Sequence, residues 1–498
     1  MTLNLVSGRT LFRGAIWNLL GQSLPVVAAF LFVPLLVRGL GIERFGVLSL
    51  AWMLVGYFSL FDLGLGGALT RLVSDRLANR QDEEVPRLVW TALALTFPLG
   101  LVGGAILASL APWLVGSVLR IPPEMQREAL GLLRVLAVSL PVVTCTAALS
   151  GTLAAQQRFG LLNAIRIPMG IFTYGGPLLV LPFSQSLLPV VIVLASGRLL
   201  AGLAHLAACL WTLPGLRRGI RLDRRFVRPL ASFGGWMTVT SVVGPLMVYL
   251  DRFLIGGVLS MAMVAYYTTP YDLTSRMWIL CTPISSVLFP AFAACSRTEP
   301  ARAARLFGWG LRAVAFLLFP AALLLASFAG EILQFWLGAD FALHSAPVLR
   351  LLAAGMYING LAMIALALVQ ASGRPDLGAK LHAAELPVYL LAVWLLIHGR
   401  GIEGAAIAWV GRVSVDAIAL FLMAARRLPR GRTVLAQSAL AVVGGAAVIA
   451  LCALIPNLAA RMVCAGVVLI GMATAGWRFA AGPGRLALAG REPAESGE

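Results

Sequence analysis

The chain has 498 residues, of which 60% are hydrophobic and only 12% are charged, and its mean hydropathy is +0.90. This composition excludes an ordinary soluble domain and predicts an all-α polytopic membrane protein. The formal net charge is +18, from 39 lysines and arginines against 21 acids. Because most basic residues fall between apolar segments, we interpret this charge as a topology signal and a contact with membrane lipids, and we exclude nucleic-acid binding.

Apolar runs long enough to cross a bilayer follow one another along almost the whole chain. A hydrocarbon core of roughly 30 Å takes roughly 20 helical residues, and the sequence predicts about fourteen spans. The first is too long for a signal-peptide core and has no cleavage pattern after it, so we expect it to stay as a helix. The predicted spans are 14–37, 46–70, 88–112, 129–155, 163–183, 188–212, 231–257, 263–289, 313–330, 347–370, 383–398, 404–424, 434–455 and 462–480.

Two halves of the chain repeat one another at a separation of about 216 residues, in the manner of secondary transporters. The segment Leu133–Ala137 returns as Leu349–Ala353, and the dipeptide Gly197-Arg198 returns as Gly411-Arg412. Six predicted helices separate the repeats, so both enter the membrane in the same direction and are related by a pseudo-two-fold axis along the membrane normal.

The repeat predicts two six-helix bundles followed by two further helices. The predicted divisions are an N-terminal lobe at 1–212, a C-terminal lobe at 213–425 that begins with a basic cytoplasmic linker at 213–230, and two additional helices with a cytoplasmic tail at 426–498.

The positive-inside rule places both termini in the cytoplasm. The largest basic cluster lies in the linker between the repeats, whereas the predicted outer loop 331–346 contains Glu331 and Asp340 and no lysine or arginine. The linker cluster consists of Arg217, Arg218, Arg221, Arg224, Arg225 and Arg228.

Motifs for catalysis, metal binding or a cofactor are not found in the sequence. The six cysteines include no CxxC pair, and the four histidines have no ligand spacing. No nucleophile elbow, phosphate-binding glycine loop or paired-carboxylate motif stands out. We therefore expect no enzyme activity, no cofactor, no metal site and no disulfide.

Charged side chains inside the predicted spans are the candidate functional residues. Each costs roughly 2.5–3.5 kcal/mol at a helix centre, so such residues usually face a cavity or a partner. The sequence predicts a cationic substrate site formed by Arg198, Arg252, Arg276 and Arg412. The acids that could couple transport to an ion, or form charge pairs, are Asp62, Asp251, Asp272 and Asp416.

Some of these residues also have structural interpretations. The sequences Asp272–Arg276 and Arg412–Asp416 could be i,i+4 pairs that neutralise each other. Asp251 and Arg252 point about 100° apart on a helix, so one would line the cavity while the other packs between helices.

Four further charged or polar residues have structural interpretations of their own. Arg134 and Arg350 could extend to the outer headgroups. His205 is interpreted as a hydrogen-bonded packing residue, and Asp62 could hold the glycine-rich turn that follows it.

Positive charge exceeds negative charge among the membrane-depth residues, the opposite of what a cation exporter needs. Guanidinium groups match phosphate and pyrophosphate oxygens in a bidentate geometry. The surplus of positive charge therefore favours an anionic, phosphorylated substrate.

Short motifs along the chain resemble those of the polysaccharide (O-antigen type) flippases, a family of the multidrug/oligosaccharidyl-lipid/polysaccharide exporter superfamily. In the first lobe they are Trp17-Asn18-Leu19-Leu20-Gly21, Pro34-Leu35-Leu36-Val37-Arg38-Gly39-Leu40-Gly41, Phe45-Gly46 and Asp62-Leu63-Gly64, closing with Arg71. In the second lobe they are Asp251-Arg252, Ala265-Tyr266-Tyr267 and Val287-Leu288-Phe289-Pro290.

The resemblance implies fourteen helices, two six-helix bundles around a central cationic cavity, and alternating access. It implies transfer of an undecaprenyl-pyrophosphate-linked oligosaccharide from the inner to the outer leaflet of the bacterial inner membrane, for O-antigen, capsule or exopolysaccharide synthesis. A glycan polymerase of the same pathway is an expected partner. We expect any proton or sodium dependence to reside in the acids of the second lobe.

Three other functions are alternatives. A lipid II flippase would have arginines in the first helix, where this chain has Asn18 and only a terminal Arg38. A drug–cation antiporter would have twelve spans and an acid in the first-lobe cavity. A membrane glycan polymerase or ligase would have a long outer loop with catalytic residues, whereas loop 331–346 is short and contains only His344.

Overall fold

A computed structural model describes residues 8–57, 65–230, 247, 249–296, 298–429 and 431–481. Every regular element in these ranges is a helix, which confirms the all-α fold class. Nine of the described helices are long and apolar enough to cross a membrane. The 51-residue helix among them contains two predicted spans, 383–398 and 404–424, and the total of fourteen spans stays a prediction.

The chain divides into two compact units, Met1–Thr268 and Thr269–Glu498. The predicted boundary between the two repeats, at residues 212 and 213, was drawn from sequence similarity and stays a prediction. Helices of the first unit are α1 Gly8–Leu40, α2 Ile42–Tyr57, α3 Leu65–Ala78, α4 Val85–Trp113, α5 Pro123–Ala155, α6 Phe159–Gly175, α7 Leu187–Thr212 and α8 at 249–258, and α9 Met261–Ser275 contains the boundary. Helices of the second unit are α10 Trp278–Cys295, α11 Pro300–Ser327, α12 Ala329–Leu337, α13 Ala339–Ala371, α14 Pro375–Ala425, α15 Gly431–Ala439, α16 Gly445–Ala453 and α17 Leu458–Ala481.

In the first unit, α5 packs along α4 and α7. The backbones of α4 and α5 approach closely because small residues lie at the contact: a Cβ built on Gly104 would lie 2.5 Å from the Ala137 carbonyl oxygen. Small residues commonly allow such contacts between membrane helices. The helix α7 begins at Ser186, whose hydroxyl accepts from the Leu188 amide, while Glu128 of α5 accepts from the Leu187 amide at 3.0 Å. These bonds fix the start of α7 against α5.

In the second unit, α13 is the central helix and α14 packs along it. Gly401 divides α14 into a hairpin, because its φ of 58° and ψ of −138° are not helical. A side chain is strained in this region of φ, which explains a glycine at the turn. The two halves of α14 therefore run back along each other and can bring their polar residues together.

Two elements differ from the sequence prediction. The predicted span 263–289 is interrupted, since α9 ends at Ser275 and residues 276 and 277 form a turn before α10. The predicted outer loop 331–346 is helical, formed by α12 and the first turns of α13, with the chain reversing at Gly338, whose φ is 100°. Hydropathy identifies apolar runs of spanning length, and it detects neither a short turn inside such a run nor a helix too short to span the bilayer.

Candidate functional site

A cavity of about 270 Å³ lies among α5, α6 and α7 in the first unit. The two arginines that line it come from different helices, Arg166 from α6 and Arg198 from the middle of α7. The other polar groups in its wall are the hydroxyls of Thr146 and Ser150 and the imidazole of His205. Among the residues that the structure describes, no carboxylate lines this cavity.

The two arginines carry positive charge that nearby acids do not neutralise. Within the described part of the chain, neither Arg166 nor Arg198 has a carboxylate within 4.0 Å, and Arg198 is half-buried. Arg198 was predicted from the sequence, whereas Arg166 was not. Arg166 lies in the predicted span 163–183, which Pro168 interrupts. A charged residue inside a span is the signal that could have identified it.

His205 is buried and hydrogen-bonds within its own helix, in agreement with the packing interpretation. Its Nδ1 lies 2.7 Å from the Ala201 carbonyl oxygen, which can only accept, so Nδ1 donates. Its Nε2 is buried and has no hydrogen-bond partner within the described residues. His205 also lines the cavity.

Asp251 and Arg252, predicted from the sequence, are 0% and 1% exposed and belong to the first compact unit. The Tyr267 hydroxyl donates to Asp251 at 2.7 Å, and the Arg252 amide donates to the same carboxylate at 2.8 Å. The Arg252 guanidinium lies 5.1 Å from the centre of the Tyr249 ring. Both charged residues are therefore enclosed among packed helices and aromatic rings.

Three further candidates predicted from the sequence are less informative. Asp272 is exposed on α9, and Arg276 is half-buried in the turn before α10. The proposed i,i+4 pairing of these two stays a prediction. Asp62 lies outside the described residues.

A second cluster of charge lies inside the α14 hairpin of the second unit. On its first half, His382, Glu385 and Tyr389 share one helix face, at i, i+3 and i+7. On its second half, Arg412 and Asp416 share a face at i and i+4. The hairpin turn at Gly401 brings the two faces together.

Ion pairs join the two halves of the hairpin. The Arg412 Nη1 atom lies 3.8 Å from Glu385 Oε2, and the Arg412 guanidinium lies 5.5 Å from the centre of the Tyr389 ring. The His382 Nε2 atom lies 3.3 Å from Asp416 Oδ1. Across the hairpin, Arg412 thus has Glu385 as its oppositely charged neighbour, and Asp416 has the His382 imidazole beside it. Neither Glu385 nor His382 is among the candidates predicted from the sequence.

Both acids of this hairpin cluster are buried, and their contacts with Arg412 and His382 are not hydrogen bonds. Neither carboxylate oxygen of Glu385 has a hydrogen bond within the described residues, and Asp416 Oδ1 is near His382 but not aligned for one. With His382 neutral, the cluster has two negative charges and one positive charge. Protonation of one member would therefore make the cluster neutral.

Groups of three or more histidine, cysteine or acidic residues that could hold a metal ion do not occur among the described residues. The arginines of the first cavity can recognise an anion, and the carboxyl and imidazole groups of the hairpin cluster can exchange a proton.

Known proteins resemble the chain along most of its length. It is 27% identical over 414 residues to the "Putative O-antigen transporter" of Shigella flexneri, covering 82% of this chain and 97% of that protein. It is 23% identical over 407 residues to the "Probable low-salt glycan biosynthesis flippase Agl15" of Haloferax volcanii, covering 80% of each.

Solved structures share the fold at low sequence identity. The inward-closed lipid II flippase MurJ matches with a TM-score of 0.72 at 13% identity, covering 94% of this chain and 99% of that one. An inward-facing multidrug resistance MATE transporter of the MOP superfamily matches with a TM-score of 0.69 at 15% identity, covering 84% and 95%. The sequence model of the polysaccharide biosynthesis protein family matches residues 11–296, more than half of the chain. This chain is a multi-span membrane protein with the fold of that superfamily, and it belongs to the polysaccharide biosynthesis protein family.

Proposed function

We propose that this protein is a glycan flippase. It transfers an undecaprenyl-pyrophosphate-linked oligosaccharide from the cytoplasmic to the periplasmic leaflet of the bacterial inner membrane. The family match and the names of the two relatives, an O-antigen transporter and a glycan biosynthesis flippase, support this proposal. Both relatives are named as transport proteins, which supports a role without catalysis.

The single observation that carries the proposal is the cavity with two arginines and, within the described part of the chain, no acid in its wall. A pyrophosphate is a strong anion with several acceptor oxygens, and guanidinium groups can bind such oxygens in pairs. Arg166 and Arg198 come from neighbouring helices, so they can reach different oxygens of one headgroup. The hydroxyls of Thr146 and Ser150 would add neutral donors beside them.

Transport by alternating access requires an element whose free energy differs between the inward-open and outward-open states. We propose that the hairpin cluster in α14 is this element, because its net charge changes when one proton binds. Asp416 was among the acids selected from sequence for this role. Glu385 and His382 extend the candidate set.

Gene deletion tests the proposed substrate. Cells that lack the protein should accumulate a lipid-linked oligosaccharide on the cytoplasmic leaflet, and expression of the wild-type chain should remove it. A control strain should express the Arg166→Ala/Arg198→Ala variant at the same level. Accumulation of a peptidoglycan precursor, or of no lipid-linked saccharide, would refute the assignment.

Cysteine labelling tests the direction of transfer. On a cysteine-free background, single cysteines at Ser186 and Ser260 should react with an impermeant thiol reagent from outside the cell. Cysteines at Ala304 and Ser372 should react only after permeabilisation, because the positive-inside rule places them in the cytoplasm. Labelling of Ala304→Cys in intact cells would reverse the orientation and the proposed direction.

A further inference from the structure

The basic linker that follows α7 is folded against the first unit. Leu216 and Phe226 of the linker are buried. The Trp90 indole donates to the Leu216 carbonyl oxygen at 3.3 Å, and the Asp223 amide donates to the Thr91 hydroxyl at 3.0 Å. The linker is therefore a fixed wall beside the first turns of α4.

This wall closes one side of a cavity of about 740 Å³. The opposite sides are the end of α3, the start of α4 and the connection between α5 and α6. The volume lies in the range of sites for small molecules. All of these segments lie on the face that the positive-inside rule assigns to the cytoplasm.

The cavity has an excess of positive charge. Four arginines line it against two acids, and none of the four forms a salt bridge within 4.0 Å with either acid in the described part of the chain. The charged lining residues are Arg87, Arg158, Arg218, Arg221, Asp82 and Glu83.

Neighbouring arginines of the same linker are used differently. The Arg217 Nε atom donates to the Leu210 carbonyl oxygen at 2.8 Å, and Arg225 forms a salt bridge with Asp223 at 2.7 Å. The Arg225 guanidinium holds the pKa of the Asp223 carboxyl below its ordinary value. These two arginines hold the linker in place, while Arg218 and Arg221 face the cavity.

Exposed apolar side chains surround this basic wall. Ile220 and Leu222, on either side of Arg221, are 70% and 61% exposed, and Trp211 at the end of α7 is 64% exposed. In water these side chains would be unfavourable, whereas in the interfacial layer of a membrane aliphatic and aromatic groups are stable. Their exposure indicates that the linker lies at the depth of the lipid headgroups.

We propose that this cavity binds the anionic phosphate headgroup of a lipid in the cytoplasmic leaflet. The arginines provide donors for phosphate oxygens, and the apolar residues beside them contact the upper acyl chains. This site is separate from the cavity of Arg166 and Arg198, and its occupation does not depend on the proposed transport. A soluble phosphate compound offers the same chemistry without acyl chains, so the test includes it.

Lipid binding by the purified full-length protein tests this site. Native mass spectrometry would follow titration with phosphatidylglycerol, with phosphatidylcholine as the zwitterionic comparison and glycerol phosphate as the soluble one. The variant is Arg218→Gln/Arg221→Gln. The matched control is Arg224→Gln/Arg228→Gln, which removes the same charge from the same linker outside the cavity.

We expect the cavity variant to bind phosphatidylglycerol at least tenfold more weakly, and the control to change affinity by less than twofold. Phosphatidylcholine binding should be weak in all three proteins. An equal loss of phosphatidylglycerol affinity in both variants would show only general electrostatic attraction to the linker, and it would overturn the proposal. Binding of glycerol phosphate as tight as that of phosphatidylglycerol would also overturn it, because the ligand would then be a soluble phosphate.

Discussion

Arg198 and Arg412 occupy equivalent positions in the two sequence repeats, yet their surroundings differ. Arg198 lines a cavity whose described wall contains a second arginine and no acid. Arg412 lies within 3.8 Å of Glu385 and against the ring of Tyr389. The same Gly-Arg dipeptide therefore presents unneutralised charge in the first unit and paired charge in the second. The difference favours ligand recognition by the first cluster and conformational coupling by the second.

The largest expected effect on transport comes from removing the charge of the first cavity. Loss of one charge-assisted hydrogen bond costs about 1.5–3 kcal/mol, so Arg198→Ala should weaken substrate affinity about 10- to 100-fold. The Arg166→Ala/Arg198→Ala variant should lose more. Arg198→Lys should recover activity only in part, because a lysine lacks the bidentate geometry.

The measurement is transfer of a lipid-linked oligosaccharide in proteoliposomes at several substrate concentrations. Arg134→Ala is the matched control, since Arg134 is exposed in the first half of α5 and is expected to contact headgroups. If the Arg198→Ala variant binds the substrate as tightly as the Arg134→Ala variant, Arg198 does not recognise the ligand. The contrast drawn between Arg198 and Arg412 is then wrong. The sequence also predicts impaired export for Arg252→Ala, Arg276→Ala and Arg412→Ala.

A smaller but more specific effect is expected from the acids of the hairpin cluster. Asp416→Asn and Glu385→Gln each remove a buried titratable carboxylate from the hairpin cluster, so we expect the pH dependence of transport to change. The loss of one partner of a buried pair also destabilises the fold, typically by about 3–5 kcal/mol. Transport rates should therefore be divided by the amount of folded protein at each pH.

Asp376→Asn on the same helix provides the control. Its carboxylate pairs with Arg374 and Lys380 at the exposed start of α14, where solvent screens the ion pairs and their contribution to stability is small. A purely structural cluster would lower the yield of Asp416→Asn and Glu385→Gln without changing the shape of the pH profile. That result would remove the coupling assignment.

The smallest effect is expected from Tyr267→Phe in the first unit. It removes the hydroxyl donor at 2.7 Å from the buried Asp251 carboxylate. The free energy of unfolding should therefore fall by about 1–3 kcal/mol. Substrate affinity should stay within twofold of the wild type, because Asp251 is enclosed in packing. Thermal unfolding in detergent and the transport assay measure the two quantities separately. A large loss of transport at unchanged stability would place Asp251 in the transport mechanism.

The sequence predicts much of the helical framework, because apolar runs and the positive-inside pattern are local properties of the chain. It also selects Arg198 and Arg412, which the structure places in the wall of the first cavity and in the hairpin cluster. It does not distinguish their surroundings, since these depend on neighbours far along the chain or across a turn. Glu385 and His382 were missed because they lie at the edge of a weakly apolar span that Pro387 interrupts.

The break after Ser275 has a similar origin. The turn at residues 276 and 277 lies between two apolar segments, and no glycine or proline marks it. Helix α12 falls in a predicted loop because its nine residues are too few to span a bilayer. In the structure Glu331 pairs with Arg461 of α17, a contact between residues far apart in sequence.

Transfer of an undecaprenyl-pyrophosphate-linked oligosaccharide by the purified protein is the most direct test of the central proposal. Proteoliposomes that contain the wild-type chain should move the lipid between leaflets faster than protein-free liposomes. The Arg166→Ala/Arg198→Ala variant, reconstituted at equal density, should approach the protein-free rate. If the wild type and the variant transfer the lipid equally, or if neither transfers it, the cavity among α5, α6 and α7 is not the site of glycan-lipid recognition.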